Sequence, residues 1–592
     1  MRNAYGVLNN REKIYSIFFK SVCGLIIFGT VIWNLSELLQ ISVINDEFGY
    51  WGIAAYFSGY DWTGLSGTSP YYGYGVGMIY FLLFKIFKDS VMMYKAAIVL
   101  NAVMLVTAFY ISLVCAKKLF PHVSEYLRIL FCFFISFYPN TLVQSQYAWT
   151  ETILYIWFWG MFLLVILIGE SASYQKMLFF ALGLVYGLMV HQRTLGIFCA
   201  GILVIFILMI LGKCNKKQFF FFMITIILGF LVYLSIKKYL NDNFWKTISY
   251  EMASRNNFSG QLSIIQRIFT PEGIKDFVLG VFGKSFYLII STVCIILPFL
   301  FYSFNLGIRF IKKYVLNKNE SIPDSIWATL FLLLGFGATF LISAISMFYI
   351  GTRADNYFYG RYTEFLIGPI LMVGIFILYQ TKEKWTLFGI SIGIITIISY
   401  VVNYVLNTNE FTKFYITNCA GIGNYFSDLS YIDNATYALL IKVIIIFFIV
   451  IVLFNDRKYK KCAYFLSGCI IVLGMWYPAI EYNNQNTYLL QEKFSENTKD
   501  VAETIRANIS NDKKIYYVVD DSTQESFETD AYERNIKYIQ FYLFDRKIEI
   551  KNYTELTDEK VVYIVRRKSV ISEEMKIKFD LIYENELYYV LK

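Results

Sequence analysis

The stretch that decides the fold is an apolar run at residues 21–44, SVCGLIIFGTVIWNLSELLQISVI, followed at once by Asn45-Asp46-Glu47-Phe48-Gly49-Tyr50-Trp51. The run is long enough to cross a membrane and has no small-residue cleavage site, so we expect an anchor that stays in place. Carboxylates near a bilayer are costly and usually serve a function. We therefore predict that Asp46 and Glu47 belong to a site at the membrane surface.

The composition indicates a polytopic membrane protein. Of 592 residues, 57% are hydrophobic, 19% aromatic and only 16% charged, whereas soluble domains carry about 25% charge. The net charge of +9 does not indicate nucleic-acid binding, because Lys and Arg lie mainly in short connectors, where they set topology. The nine cysteines form no C-x-x-C pair and there are only two histidines, which excludes a multi-His metal site.

Hydropathy predicts a largely membrane-embedded region over residues 1–480. The predicted thirteen spans are 21–43, 95–116, 128–145, 151–169, 177–191, 195–212, 219–236, 286–305, 327–350, 363–379, 386–406, 437–454 and 463–480. Lys and Arg concentrate in alternate connectors, which predicts that these connectors and the N-terminus are cytoplasmic. After an odd number of spans, the remaining chain should lie outside.

The remaining chain, residues 481–592, is charged and reads as a small α/β domain. We predict a helix around 488–508 and a strand at 514–519, then a helix or strand near 536–546. A strand at 561–565 and an antiparallel pair at 580–583 and 587–591 complete it. This domain either covers the membrane site, holds an acceptor or acts as a stabilising cap.

With this topology, the unusual polar residues collect on the outer face. The candidate site residues are Asp46, Glu47, Tyr50, Glu151, His191, Arg193, Arg353, Asp355, Arg361 and Glu364. Two guanidiniums that flank a tyrosine-rich loop can bind a phosphate bidentately, which favours Arg353 and Arg361 as anion ligands over the alternative of a structural ion-pair cluster.

Several of these residues have a simpler explanation. Glu151 is either a site residue or a helix-start carboxylate favoured by the helix dipole. Arg193 either serves the site or extends to lipid headgroups. His191 is expected to be a hydrogen-bonded structural residue rather than a catalytic one. Asp46 adjoins aromatic residues at helical spacing, which predicts an interfacial helix at headgroup level.

The layout resembles the GT-C superfamily of polytopic glycosyltransferases. It is most similar to the branch that contains protein O-mannosyltransferases and the aminoarabinose transferases of lipid A. The resemblance rests on Asp46-Glu47 after one span, the aromatic helix behind them, about thirteen spans and an outer C-terminal domain. The segment Gly360-Arg361-Tyr362-Thr363-Glu364 also resembles motifs of bacterial members. The Trp-Trp-Asp signature of the oligosaccharyltransferase branch is absent.

The resemblance implies transfer of a sugar, with inversion, from a polyprenyl-phosphate donor to a glycan, lipid or protein acceptor outside the cytoplasm. Asp46 would be the general base, and Glu47 would orient the acceptor or tune Asp46. Arg193, Arg353 and Arg361 would stabilise the leaving phosphate. An acidic pair could hold a divalent metal, but we expect none and no other cofactor. The partners are then donor, acceptor and membrane lipid, and the location is a bacterial cytoplasmic membrane.

Two other functions stay open on the sequence. An O-antigen-type polymerase or ligase also pairs outer-loop arginines with lipid-linked glycans, but the early Asp-Glu pair is not expected there. A transporter or flippase should place charges at mid-membrane in broken helices and show internal repeats, and neither pattern is present.

Overall fold

The computed structural model describes most of the chain. The described residues are 10–42, 44–67, 73–245, 265–316, 323, 326–348, 351–426, 428, 432–455, 460–519, 530–556 and 561–592. Residues 349 and 350, at the end of the predicted span 327–350, lie outside these ranges.

Helices make up nearly all of the described chain before residue 508. Their bounds are Asn10–Ile32, Ile44–Phe57, Thr63–Ser66, Gly77–Ile86, Ser90–Leu119, Glu125–Ile135, Pro139–Ser145, Thr150–Glu170, Tyr174–Val190, Leu195–Ile210, Lys216–Asn243, Pro271–Ser291, Ile296–Tyr314, Ile326–Ser346, Ala354–Phe358, Ile367–Gln380, Lys384–Thr408, Gly423–Phe426, Ile432–Asn455, Lys460–Ile471, Tyr477–Asn508, Asp530–Tyr542 and Ser572–Lys578.

Most apolar helices correspond to predicted spans, but the apolar helix Gly77–Ile86 was not predicted. Within the described ranges, nine helices are long and apolar enough to cross a membrane, and two sharply bent pairs raise the total to 11. Two shorter apolar helices, Tyr174–Val190 and Glu364–Gln380, coincide with the predicted spans 177–191 and 363–379. The chain is a multi-pass membrane protein, and its predicted α-helical polytopic class is confirmed.

The predicted span 286–305 falls on two helices joined by a sharp bend instead of on one continuous helix. Helices Pro271–Ser291 and Ile296–Tyr314 meet there at a bend of 112°. Val293 and Cys294 take positive φ angles of 51° and 62°, a backbone conformation that ends a helix. Hydropathy could not locate this bend, because both residues are apolar and neither is Gly or Pro.

The first predicted span is also displaced along the chain. Its helix covers Asn10–Ile32, and the chain then runs through a short turn to the helix Ile44–Phe57, which we call the Asp46 helix. An aromatic helix was predicted here, but Tyr50 and Trp51 are buried inside the protein, at 1% and 0% exposure. The Asp46 helix therefore packs within the protein instead of laying its aromatic face on lipid.

The C-terminal region forms the predicted small sheet. Its strands are β1 (Lys514–Val519), β2 (Ile548–Asn552), β3 (Val561–Arg566), β4 (Leu581–Glu584) and β5 (Tyr588–Leu591). The sheet order is β2-β1-β3-β5-β4, with β1 parallel to β2 and β3, and β5 antiparallel to β3 and β4. The segment near 536–546 belongs to the helix Asp530–Tyr542. Strand β2 was not predicted.

The helix Tyr477–Asn508, which we call the long helix, runs through the predicted boundary between residues 1–480 and 481–592. The C-terminal region also packs directly on the Asp46 helix. Phe541 meets the Trp51 ring edge-on at 5.6 Å, and the Trp62 indole donates to the Phe544 carbonyl at 2.9 Å. The sheet region and the Asp46 helix therefore share one core.

Candidate functional site

Four charged side chains meet at one end of the helix bundle, and we call them the charge cluster: Asp46, Glu151, Arg193 and Arg361. Arg361 Nη1 lies 2.6 Å from Asp46 Oδ2, and Arg361 Nε donates to Glu151 Oε1. Arg193 Nη2 lies 3.0 Å from the same Glu151 oxygen. The arginines thus join two carboxylates that are 105 positions apart in sequence into one network.

Both carboxylates lie in the first turn of a helix. Asp46 is in the first turn of Ile44–Phe57, and Glu151 is in the first turn of Thr150–Glu170. Free backbone N–H groups and the helix dipole favour negative charge at this position. Arg193 lies in a short turn between two helices, and Arg361 lies in a loop. Helix starts therefore supply the anions, and connectors supply the cations.

Two rings fix the position of Arg361. Its guanidinium carbon lies 3.8 Å from the centre of the Trp149 ring, a stacked cation–π contact. The preceding Gly360 lies against Tyr287 so closely that a Cβ there would overlap the ring. Burial by itself lowers the pKa of Arg361, but Glu151 and Asp46 raise this pKa well above its ordinary value. Arg361 is therefore a fixed positive charge.

The solvent exposure of the side chain differs among the four members of the charge cluster. The side chains of Arg193 and Glu151 are 1% and 4% exposed, whereas those of Arg361 and Asp46 are 8% and 14% exposed. Asp46 is therefore the carboxylate of the cluster that a substrate can reach most easily.

Glu47 points away from the charge cluster into the protein and is fully buried. Its carboxylate accepts bonds from the backbone N–H groups of Ser42 and Ala148, at 2.5 and 2.6 Å, and from the Tyr94 hydroxyl at 2.8 Å. These partners come from three separate segments. Glu47 therefore locks the start of the Asp46 helix to its surroundings.

His191 and Tyr50 lie beside the charge cluster. His191 Nδ1 accepts a bond from the Arg193 backbone N–H at 3.1 Å, so that nitrogen carries no proton and the ring is neutral. Tyr50 follows Asp46 by one helical turn. Burial raises the pKa of Tyr50 well above its ordinary value, and Glu151 and Asp46 raise it further. Both side chains are therefore uncharged neighbours of the charged groups.

Arg353 and Asp355 form a separate pair at the start of the short helix Ala354–Phe358, which precedes Arg361 in the same connector. Arg353 Nη2 lies 2.6 Å from Asp355 Oδ2, and its side chain is 38% exposed. The guanidinium also lies over the Tyr415 ring, at 4.6 Å. Asp355 is fully buried and accepts a second bond from Asn418 at 2.8 Å. Asp355 therefore anchors the loop, and Arg353 is its accessible cation.

Glu364 is buried in a tyrosine pair instead of the charge cluster. It accepts a bond from the Tyr287 hydroxyl and another from the Tyr138 hydroxyl, the latter at 3.4 Å.

Of the predicted candidates, the structure therefore brings together Asp46, Glu151, Arg193 and Arg361, with His191 and Tyr50 beside them. Arg353, Asp355, Glu47 and Glu364 have partners of their own.

Sequence reasoning missed several residues that shape the site. Trp149 and Thr150, which directly precede Glu151, contact Arg361 and Arg193, the latter through a 3.4 Å bond to the Thr150 hydroxyl. Their adjacency to a candidate acid was the available signal. Tyr94 carried no such signal, because its contact with Glu47 spans 47 residues of chain.

Among the described residues, no group of three or more His, Cys, Asp or Glu side chains could hold a metal ion. The carboxylates of Asp46 and Glu151 instead face guanidiniums. Independence from metal stays a prediction.

The three-dimensional structure of this chain matches that of a solved protein. No protein-family model and no curated protein matches the sequence. A crystal structure of ArnT from Cupriavidus metallidurans, bound to undecaprenyl phosphate, matches with a TM-score of 0.52 and 11% identity, over 98% of this chain and 97% of that one. The chain has a GT-C-like fold. The apo structure of the same ArnT matches with a TM-score of 0.48 and 12% identity, over 98% of both chains. At this identity the likeness establishes the fold alone.

Proposed function

We propose that this protein is a membrane glycosyltransferase that moves a sugar from a polyprenyl-phosphate donor to an acceptor outside the cytoplasm. The observation that carries the proposal is the charge cluster at the helix ends of a GT-C-like fold. The acceptor is a glycan, lipid or protein, and a surface polysaccharide is the acceptor we favour.

Asp46 is the proposed general base, because it is the most exposed carboxylate of the charge cluster. The acceptor oxygen attacks the anomeric carbon, and its proton passes to Asp46. The bond from the anomeric carbon to the phosphate oxygen breaks, and the lipid phosphate leaves with the bonding electrons. Attack opposite the leaving group inverts the anomeric configuration. Glu47 acts as a positioning residue, since its carboxylate is buried and hydrogen-bonded.

Arg361 and Arg353 are the proposed ligands of the leaving phosphate. Arg353 is proposed beside Arg361 because it lies in the same connector between two apolar helices and its guanidinium, although paired with Asp355, is 38% exposed. A planar guanidinium binds phosphate oxygens in pairs, and fixed charges stabilise the negative charge that develops there.

A polyprenyl phosphate is the donor class because the fold is suited to such a lipid. The ArnT structure with this fold holds undecaprenyl phosphate. The sugar would be carried on that phosphate and presented at the end of the helix bundle, where apolar helices meet the polar loops.

We propose that the charge cluster faces outward in a bacterial cytoplasmic membrane. Glu47, next to Asp46 in the sequence, bonds Tyr94 near the start of the helix Ser90–Leu119, and Lys117 and Lys118 occupy the last turn of that helix. Positive charge accumulates on the cytoplasmic side of membrane proteins. The cluster and the C-terminal region that packs beside it would then be extracytoplasmic, and the N-terminus cytoplasmic.

The proposal is tested by donor turnover. Purified protein in nanodiscs is given undecaprenyl-phosphate esters of a panel of radiolabelled hexoses and amino sugars, with native membranes as the source of acceptor. We expect release of undecaprenyl phosphate from at least one donor, with the label moved to an acceptor. If every donor stays intact while the protein remains folded, the proposal is wrong.

A further inference from the structure

One face of the long helix carries four buried polar residues at intervals of four positions, the last of them Ser495. The other three bond segments around the charge cluster, and we call them the polar stripe: Asn483, Thr487 and Gln491. They are 2%, 6% and 2% exposed. Residues four apart lie above one another on a helix surface, so the stripe presents one continuous polar face to its neighbours.

Gln491 holds the chain directly before the Asp46 helix. Its side-chain oxygen accepts bonds from the backbone N–H groups of Leu39 and Gln40, at 3.0 and 2.9 Å. Its side-chain nitrogen donates to the Gln40 carbonyl and to the Ser42 hydroxyl, each at 2.6 Å. The Ser42 N–H in turn donates to Glu47. One glutamine thus makes four bonds to the segment that leads into Asp46.

Thr487 holds the chain before Glu151. Its hydroxyl lies 2.7 Å from the Tyr147 hydroxyl. The next residue, Ala148, donates its backbone N–H to Glu47, and Trp149 stacks on Arg361. The Thr487–Tyr147 contact therefore helps to fix the positions of Glu151 and of the Trp149 ring that stacks on Arg361.

Asn483 bonds a segment that in turn bonds the backbone next to Arg361. Its side-chain amide donates to the Ala420 carbonyl at 3.3 Å. Two residues earlier, the Asn418 carbonyl accepts a bond from the Gly360 N–H at 3.2 Å. The polar stripe thus bonds the segments that precede Asp46 and Glu151, and it reaches the Arg361 segment indirectly through residues 418–420.

We infer that the polar stripe is the positioning element of the site, and that the long helix sets the distance between Asp46, Glu151 and Arg361. This inference rests on the function proposed above. A displacement of about 1 Å in a reacting geometry can lower a rate about 100-fold. The stripe residues touch no reacting atom, so they are positioning residues and not catalytic ones.

The test compares Gln491→Ala with Gln485→Ala, an exposed glutamine on the same helix that bonds only Glu481 among the described contacts. Release of undecaprenyl phosphate from the donor that the wild type turns over gives kcat and KM. We expect Gln491→Ala to lower kcat about 10- to 100-fold with a nearly unchanged donor KM, and Gln485→Ala to match the wild type. A lower thermal midpoint with unchanged kcat would show a merely structural role and overturn the inference.

Hydrogen–deuterium exchange supplies a readout that needs no activity. Gln491→Ala should speed exchange over residues 39–47, and the nearly isosteric Thr487→Val should speed it over residues 145–151. Unchanged exchange in these segments, or equal acceleration throughout the chain, would overturn the inference. If the wild type turns over no donor, the proposed function fails, and the exchange pattern still decides whether the stripe holds the two segments.

Discussion

Arg361 is the residue on which the geometry of the charge cluster depends most. It bonds Asp46 and Glu151 at once, and it lies on the Trp149 ring with only 8% of its side chain exposed. Without this guanidinium, Glu151 would keep only Arg193 as its cation, and Asp46 would lose its ion pair. Breaking a buried ion pair by removing one partner is strongly destabilising. The two carboxylates would then also repel each other.

Arg361→Gln should therefore cost about 3–5 kcal/mol of stability and abolish turnover. The control is Arg506→Gln, whose ion pair with Asp545 is 38% and 39% exposed, and an exposed ion pair contributes at most about 1 kcal/mol. Denaturant unfolding in detergent measures both variants. Equal losses of stability would contradict the assignment of Arg361 as the buried link.

Glu47 holds secondary-structure elements together and takes no direct part in the proposed reaction. It joins the Asp46 helix to the helix Ser90–Leu119 through Tyr94 and to the start of Thr150–Glu170 through Ala148. All three of its described partners are donors. The amide of a glutamine would turn its own N–H groups toward some of them and leave buried donors unsatisfied.

Glu47→Gln should lower stability by about 1–3 kcal/mol and lower kcat, while the donor KM stays near the wild-type value. The neighbouring Glu37→Gln, at an exposed position, is the control. Unfolding and turnover assays measure the two effects. A Glu47→Gln protein with wild-type stability would show that the three bonds do not hold the helix.

Local patterns predicted the elements that depend on hydropathy or alternation. The helix Lys384–Thr408 and the strand Lys514–Val519 follow from such runs. In each, the order of apolar and polar residues in the segment itself indicates the element. The bend at Val293 and Cys294 does not follow from such a pattern, because these residues take positive φ although neither is a residue type that signals a turn. Strand β2 was missed although its residues IEIKN begin with an apolar–polar alternation, so the local signal for this strand was present.

The site was predicted in its residue types but not in its pairings. Asp46, Glu151, Arg193 and Arg361 were all candidates, because charge at an outer helix end is costly and therefore informative. Which arginine meets which carboxylate depends on contacts such as Arg361 with Glu151, 210 positions apart in sequence. A single sequence does not encode such a contact locally, so Arg353 could not be separated from Arg361.

At the scale of the whole molecule, the topology has a direct test. Lys568 is exposed in the C-terminal region, and Lys382 is exposed in a connector between two apolar helices. In a variant without native cysteines, a membrane-impermeant maleimide should label Lys568→Cys in intact cells. The same reagent should label Lys382→Cys only after the membrane is opened. The reverse pattern would invert the topology and place the charge cluster in the cytoplasm.

In the proposed reaction, Asp46 takes the proton from the acceptor hydroxyl. Asp61 offers a matched control, because it is an aspartate of the same region with a half-exposed side chain that pairs with Lys547 outside the charge cluster.

The most direct test is therefore the rate of undecaprenyl-phosphate release by Asp46→Asn and Asp61→Asn in the same nanodiscs. Asp46→Asn should lose a factor on the order of 10²–10⁴ in kcat, with wild-type expression and folding, while Asp61→Asn keeps the wild-type rate. A fully active Asp46→Asn protein would contradict the central claim.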